Sequence, residues 1–553
     1  MRFTSILCSL ASVFFSISLW CQEEEFITGY LIDQNTREPI VFATIRLSSK
    51  ALGVISNQDG SFRIPKRFTR LDEKIVISCL GYQEKELLFS ELSLETVNQI
   101  RLYPKRMELN EAVLVGRRKR PPSARQIVKR AIERISRNYP TVPFAYVGYY
   151  RDYQLKKDEY LNLNEALLHV TDMGFEQNDF DHTKIQIYDY KPNYNFKRDS
   201  IADNPYNYST QQKIIQNAFL HDLGGNELNI LRIHDPIRNY DVKSFSFVDI
   251  LSKDLLKNHG FSRQKDSEIN GERMYVIHLE KDQSDGMEPY QSDHLGFSVA
   301  NKQSSSPGFK SNVPYKATGT FYISQSTYAI HKFEYRVDDL STIKKKRSKT
   351  KDTQNLIFEV ALSYITIRGK MHLNYLSFQN VFTVNRSYFK VDKIILDLER
   401  KRLVVKTNKP PIFVVKQGEP NIIMRYKNKR IDIREIINTQ DGIALYPDEK
   451  TLEEIREEYE RVRETSPRAM SDFFEFDFMN IKDRDGNLLN TAVLEEYHQF
   501  REFFTQKFVG DSIRIPPNNF LMKKDRPIFQ NQPINKPDNF DEFWMNTPLQ
   551  AKQ

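Results

Sequence analysis

Of the ten histidines in this 553-residue chain, only His331 stands in a His-x-x-Glu array, His331-Lys332-Phe333-Glu334. The array lies within YAIHKFEYRV, an alternating stretch of strand type, where residues three apart point to opposite faces. The two side chains are therefore not expected to share one zinc ion, and no third ligand follows at a natural spacing. Asp483, Asp485, Gly486 and Asn487 have the residue types of a calcium loop. With Gly486 at the sixth position, however, Ile481 would be the first ligand and Ala492 the twelfth, so the EF-hand register fails and a turn is expected. The chain has no phosphate loop, dinucleotide glycine pattern or nucleophile elbow. Carboxylate pairs are numerous, but sequence spacing does not set two of them across a cleft. The sequence thus assigns no catalytic residue, no metal ligand, no cofactor-binding residue and no cofactor.

The cysteines narrow the chemistry further. Arg2 and the apolar run from Ile6 to Trp20, followed by Gln22 and three glutamates, read as an export signal over residues 1–21. The run is shorter than the ~20 residues that span a bilayer. Leu19 and Trp20 stand where a lipoprotein signal needs small residues, so cleavage after Cys21 is favoured over lipidation of Cys21 or an uncleaved anchor. Cleavage removes Cys8 and Cys21, and Cys79 alone makes no intramolecular disulfide. Cys79 alternates with Ile75 and Ile77 and is expected to be a small buried hydrophobe, not a reactive thiol.

Length and composition set the frame for these residues. One hydrophobic core stops growing near ~250–300 residues, so several domains are expected. Hydrophobic residues make up 39% and charged residues 28%, within the globular range, and 37 Phe with 28 Tyr favour strands. A net charge of +8 is small beside 81 basic and 73 acidic residues, so nucleic acid is not an expected partner.

Residues 26–82 contain four short apolar runs separated by polar turns, the pattern of a small antiparallel β-sandwich. In VFATIRL, Val41, Ala43, Ile45 and Leu47 share one face and Phe42, Thr44 and Arg46 the other. Gln58-Asp59-Gly60 is turn chemistry, because glycine takes a positive φ without a Cβ clash. Gly29 with Asp33, the Glu38-Pro39 pair, Ala43, SNQDGSF and the closing Gly81-Tyr82 resemble the carboxypeptidase regulatory-like domain, a transthyretin-type β-sandwich. That resemblance implies an accessory module without catalytic residues, of a kind abundant in exported proteins of the Bacteroidota. Carboxypeptidase activity is not supported, because the zinc ligands are absent. MELNEAVLVG, residues 107–116, is similar to the stretch that joins such a sandwich to the plug of TonB-dependent transporters. A barrel of about 22 strands at ~9–11 residues each would not fit in the remaining chain, which closes on TPLQAKQ and not on an aromatic strand. A transporter is not expected.

Ser123 and Gln126 have capping-box spacing at the head of a helix whose apolar stripe includes Ile127, Val128, Ala131 and Ile135. Its other face carries Arg125, Lys129, Arg130, Arg134 and Arg137. From Phe144 to about Val405 nine strand-like runs follow, with Arg368-Gly369-Lys370 as a tight hairpin, suggesting a broad antiparallel meander. This succession resembles the periplasmic lipoprotein carriers, in which a sheet wraps around an apolar cavity. Residues 283–312 read as a long polar loop, and residues 344–351 as a basic hairpin excursion. Beyond Asn408-Lys409-Pro410-Pro411, a helix is expected from Thr451, capped by Thr451 and Glu454. A second is expected over residues 491–508, with Val493, Leu494, Tyr497, Phe500, Phe504 and Phe508 as its stripe. The tail is Pro- and Asn-rich, and Phe540 to Met545 are expected to pin it to the body.

The expected fold class is mainly β with accessory helices: an N-terminal sandwich, a large curved antiparallel sheet and a helical C-terminal part. The expected divisions are residues 1–21 signal peptide, 22–104 sandwich, 105–122 basic linker, 123–405 helix plus large sheet, 406–515 mixed helix-containing region and 516–553 extended tail. The expected function is that of a non-enzymatic cell-envelope protein, periplasmic or associated with the outer membrane. In this reading the sandwich is accessory to a β-rich binding or scaffold body that holds an apolar or lipid ligand. The expected partners are envelope proteins or lipid, with peripheral membrane contact. The alternatives are an enzyme acting on envelope polymers without an identifiable catalytic motif, or a subunit of an outer-membrane complex.

Overall fold

A computed structural model describes residues 25–48, 52–71, 73–105, 121–203, 213–214, 226–242, 249–269, 271–283, 315–340, 356–386, 388–413, 421–462, 474–491, 493–510, 513 and 515–549. The signal segment 1–21 with Cys8 and Cys21, linker residues 106–120, loop residues 284–312 and the basic excursion 344–351 lie outside the described residues. The strands are β1 (Phe26–Asp33), β2 (Thr44–Leu47), β3 (Leu52–Ile55), β4 (Ser61–Pro65), β5 (Lys74–Ser78), β6 (Lys85–Leu88) and β7 (Asn98–Leu102). Then come β8 (Phe144–Lys156), β9 (Glu159–Asp172), β10 (Lys184–Pro192), β11 (Lys213–Ile214), β12 (Gly260–Arg263), β13 (Ser267–Ile269) and β14 (Glu272–Gln283). They continue as β15 (Tyr315–Ser324), β16 (Ile330–Asp339), β17 (Leu356–Ile367), β18 (Lys370–Arg386), β19 (Val391–Asp397), β20 (Arg402–Thr407) and β21 (Ile422–Tyr426). The last are β22 (Lys429–Ile431), β23 (Ile433–Thr439), β24 (Gly442–Pro447), β25 (Phe474–Phe478) and β26 (Val493–Gly510). Helices are α1 (Ala124–Glu133), α2 (Ile135–Asn138), α3 (Asp179–His182), α4 (Glu227–Ile233), α5 (Leu255–Asn258) and α6 (Glu449–Val462). The chain is mainly β with accessory helices. It forms two compact units, one of residues 1–209, 215–382 and 497–553, the other of 210–214 and 383–496.

Alternation builds the sandwich. Its sheets run β4-β1-β7 and β3-β2-β5-β6, and in β1 the residues Ile27, Gly29, Leu31 and Asp33 turn inward while their neighbours stay half-exposed. Gly60 takes φ +77°, and a Cβ there would lie 2.6 Å from the Leu31 carbonyl oxygen. Only glycine suits that turn. The sandwich is not wholly antiparallel, because β7 runs parallel to β1, with Leu31 opposite Ile100. The chain reaches β7 after leaving β6 in the other sheet, so no hairpin dictates its direction. As expected from the alternation, Ala43, Ile45 and Leu47 enter the core. The opposite face of that strand packs on the large sheet. Phe42 stacks on Tyr375 at 4.9 Å, Arg46 donates to Asn374 Oδ1 at 2.8 Å, and Asn374 donates to Thr44 Oγ1 at 3.1 Å. One hydrophobic cluster joins Ile45, Phe62 and Ile77 of the sandwich to Tyr149, Leu167, Tyr375 and Phe504 of the sheet.

The large sheet is ordered β10-β9-β8-β26-β18-β17-β16-β15-β14-β12. β14 to β18 form the expected meander, and β17 and β18 meet at the expected hairpin, Ile367 opposite Lys370. In β16, Phe333, Tyr335 and Val337 are fully buried on one face. The Ser123–Gln126 capping box closes in both directions. Residues 491–508 correct the helix expectation: β26 lies in the middle of the sheet, between β8 and β18. Its apolar residues fall three or four apart, which imitates a helical stripe. From Gln499 to Gln506 every residue is buried, so both faces are interior and polarity no longer reports exposure. Gly148 of β8 makes room for this neighbour, since a Cβ there would lie 1.9 Å from Phe503 Cζ.

The central strands carry charge on both faces. Toward the sandwich, Glu165, Arg151 and Glu502 stand in register across β9, β8 and β26. Arg151 Nε donates to Glu502 Oε2 at 2.6 Å, while Tyr153 and Tyr149 donate to Glu502 and Glu165 at 2.8 and 2.7 Å. On the other face Asn164, Asp152 and Arg501 stand in register. These groups are buried, and each is held by a cross-strand partner because an unpaired buried charge is expensive.

The tail wraps the sheet. On the helix-bearing face the Ile528 N–H donates to Glu227 Oε1 at 3.2 Å. At the edge strand β10, Met522 N and Asn535 N donate to the carbonyls of Ile185 and Ile187 at 2.8 and 2.9 Å. Capping an edge in this way removes unpaired ladder groups. On the sandwich face Phe543 and Trp544 enter the shared core, as expected of FDEFWM. At ~25 cal/mol per Å², a buried tryptophan of ~200 Å² contributes on the order of 5 kcal/mol as an upper value.

The second unit pairs the sheets β19-β20-β24-β23 and β22-β21-β25 over a core of Leu403, Val405, Met424, Ile443, Leu445 and Ile455. Its helix α6 begins before Thr451. Asp448 accepts from Thr451 N at 2.9 Å, so Asp448 is the cap and Thr451 its ligand. Among the described residues no helix is long and apolar enough to cross a membrane.

Candidate functional site

A groove of about 1010 Å³ lies between the β3-β2-β5-β6 sheet of the sandwich and the face of β16, β17 and β18. β2 and β5 supply Phe42, Thr44, Arg46, Val76 and Ser78 with their flanks, because alternation points these residues away from the sandwich core. The large sheet supplies Lys332, Ser363, Ile365, Asn374 and Tyr375, and the β13–β14 hairpin closes one wall with Glu268, Ile269 and Glu272. The inner end is the seam of Phe42 on Tyr375 and Arg46 on Asn374. At the rim Lys105 meets Glu268 at 2.7 Å, tying the end of the sandwich to the hairpin.

Burial and the neighbouring charges together shift the titrating groups of the lining. Arg46 is pushed down to about 10 by desolvation, and its guanidinium lies 5.7 Å from the Phe504 ring centre. Burial opposes the charge on Lys332, yet Tyr375 and Glu334 outweigh it and hold the ammonium above the ordinary lysine range. Lys332 Nζ sits 2.6 Å from Glu334 Oε1. Tyr375 is pushed up to about 12, chiefly by burial. His331 faces Glu272 at 3.3 Å; burial lowers its pKa, opposed by the Glu272 carboxylate. The Cys79 thiol is raised by burial, which suppresses thiolate and nucleophilicity. Tyr82, from the closing Gly81-Tyr82, donates to Asp33 Oδ2 at 2.8 Å, so this pair of marker residues braces the rim.

His331 and Glu334 do not come together. His331 takes Glu272 as its partner, and Glu334 takes Lys332. Among the described residues no group of three or more His, Cys, Asp or Glu side chains is placed to hold a metal ion. Asp483 forms the expected turn: its Oδ1 accepts from Asp485 N and Asn487 N at 2.9 and 2.8 Å, and Lys409 Nζ lies 3.1 Å from its Oδ2 and 2.8 Å from Asp485. The Lys409 ammonium takes the place against these two carboxylates that a metal cation would need. The second face of the sheet offers a cavity of about 30 Å³, lined by Asp172, Asp179, Arg232, Asp235, Arg238 and Tyr364 among others. That space suits one water among ion pairs, among them Arg232 with Asp179 and Arg238 Nε to Asp172 Oδ2 at 2.9 Å.

The groove residues Phe42, Arg46, Lys332 and Tyr375 were not assignable from sequence. The available signal was a phenylalanine and an arginine on the strand face that ought to meet solvent. Chemically the groove offers aromatic and aliphatic walls, amide and hydroxyl groups, and the cations Arg46, Lys332 and Lys105, each with a partner.

Residues 27–114 match the family model of the CarboxypepD_reg-like domain. No curated protein is matched by the chain. Among solved structures, one similar chain is a domain from Vibrio parahaemolyticus described as an outer membrane lipoprotein-sorting protein. It is 12% identical, with 46% of this chain and 84% of that chain covered and a TM-score of 0.19. Another is a DUF1329 family protein from Desulfovibrio piger, 7% identical, with 47% and 87% covered and a TM-score of 0.19.

Proposed function

We propose that this chain is a non-enzymatic protein of the cell envelope, and that the sandwich and the large sheet together form its binding body. The ligand is amphiphilic, a lipid or a lipid-like molecule, and the groove is its site. The single observation behind this reading is the groove of about 1010 Å³ with Phe42, Tyr375 and Ile365 in its wall and Lys105, Glu268 and Glu84 at or near its rim. Its volume is at the upper end of small-molecule sites, ~300–1,000 Å³, and a lining that mixes Phe42, Ile365 and Tyr375 with Arg46, Lys332 and Asn374 offers one amphiphilic molecule both apolar and polar contacts. The CarboxypepD_reg-like match over residues 27–114 and the signal-like residues 1–21 support the envelope setting. The test is to purify the protein from envelope fractions, extract it with organic solvent and analyse the extract by mass spectrometry. Ser78→Trp, which fills the groove from β5, is expected to lower the bound lipid at least tenfold while circular dichroism is unchanged. Lipid-free wild-type protein, or equal lipid in both proteins, would end this reading.

A further inference from the structure

Residues 544–549 lie in a second place, between residues 55–63 of the sandwich and Glu165 and Gln506 of the large sheet. Trp544 is 2% exposed and its indole N–H donates to the Arg63 carbonyl at 2.8 Å. Two residues on, the Asn546 side chain is 1% exposed and is bonded on both ends of its amide. Its Oδ1 accepts from Arg63 N at 2.9 Å, and its Nδ2 donates to Ile55 O and Asn57 Oδ1 at 2.8 and 3.0 Å. The main chain of the same segment is read by side chains of the sandwich. Arg63 Nε donates to Met545 O at 2.6 Å, Asn57 Nδ2 to Asn546 O at 3.2 Å and to Pro548 O, and Ser61 Oγ to Pro548 O at 2.8 Å. From the sheet, Gln506 Nε2 donates to Trp544 O at 2.7 Å. The Thr547 hydroxyl lies 3.0 and 2.9 Å from the two oxygens of Glu165. Leu549 then closes a small apolar cluster with Tyr153, Leu163 and Phe500.

This is the pattern by which an extended peptide is recognised: main-chain groups give affinity, and buried anchors in alternate pockets give specificity. Asn57 and Ser61 flank the same QDG turn that carries the domain resemblance, so the turn serves here as a peptide clamp. We infer that the cleft between Asn57–Arg63 and the β8–β26 face is a binding site for extended peptides of the form Trp-x-Asn-x-Pro-Leu. The chain's own residues 544–549 occupy it in cis. A tethered segment acts at an effective concentration in the ~mM range, so an outside peptide of moderate affinity gains entry only when the resident segment is weakened. This inference is independent of the lipid groove.

The test uses full-length protein and a fluorescein-labelled peptide with the sequence of residues 539–549. Fluorescence anisotropy is expected to show micromolar binding to Trp544→Ala, and at least tenfold weaker binding to wild type. Asn546→Ala, which keeps the tryptophan in the core, serves as a second opened variant if Trp544→Ala does not fold. Adding Asn57→Ala to either opened variant is expected to abolish binding, as is replacing the peptide's asparagine by alanine. Equal binding to wild type and opened variants, no binding to a folded opened variant, or binding that survives Asn57→Ala would each overturn the inference.

Discussion

Glu227 at the start of α4 is fully buried, and its carboxyl is pushed up to about 8, chiefly by desolvation and then by the Asp152 carboxylate. One oxygen accepts from Ile528 N, while Oε2 has no hydrogen-bond partner among the described residues. In the unfolded chain the same group titrates near 4.5. A carboxyl whose folded pKa is raised contributes fully below its unfolded pKa, and its contribution is lost as pH rises toward the folded pKa. The window here is therefore pH 4.5 to about 8, and the first unit loses stability on going up. At roughly 1.4 kcal/mol per pH unit, ionising Glu227 in place costs on the order of 5 kcal/mol. Asp152, pushed up to about 6 by burial, acts in the same direction lower in the range. Glu227→Gln keeps the shape and removes the ionisation. Its melting temperature should stay close to wild type at pH 5 and exceed it by roughly 5–10 °C at pH 8.5, for a unit of this size. Scanning fluorimetry at half-unit pH steps measures both slopes. If wild type gains stability between pH 6 and 8.5, or if Glu227→Gln follows the wild-type slope, the buried-carboxyl argument is wrong.

Other substitutions test the frame that holds the two sites. Gly148→Ala forces a Cβ against Phe503 and is expected to destabilise the first unit by ~1–3 kcal/mol in urea unfolding; a neutral result would place β26 elsewhere. Glu502→Leu strands Arg151 and should cost ~3–5 kcal/mol, whereas Arg151→Met with Glu502→Leu should cost clearly less. Additive single effects in that cycle would show that the two side chains are not coupled.

Much of the frame was legible because periodicity follows burial. α1 buries one face and exposes the other, and β16 buries one face and leaves the other half-exposed, so Phe333-Tyr335-Val337 and Ile127-Val128-Ala131 announce themselves. The Ser123 cap and the Arg368-Gly369 hairpin were legible for a different reason, since their chemistry is local. β26 was misread because it is interior on both faces, and its charged residues Arg501 and Glu502 find partners far away in sequence. The helix start at Asp448 was missed because Thr451 satisfied the same capping rule. The groove was invisible for the reason that makes it a groove: its walls come from β2, β5, β16, β17 and β18, and no local spacing records their approach. Only the odd placement of Phe42 and Arg46 on an outward strand face hinted that something covers them.

The position of β26 has a consequence in time. Arg151 and Glu502 are 351 residues apart in sequence, and closing so long a loop costs on the order of 5 kcal/mol in chain entropy before any contact repays it. Until residues 493–510 arrive, β8 and β18 both keep an open edge, and neither half of the sheet can bury its neighbour-facing ladder groups. A chain that becomes available from its N-terminus onward therefore cannot complete the sheet until about residue 510 is present. The sheet is thus completed last by the strand whose partners lie farthest from it in sequence.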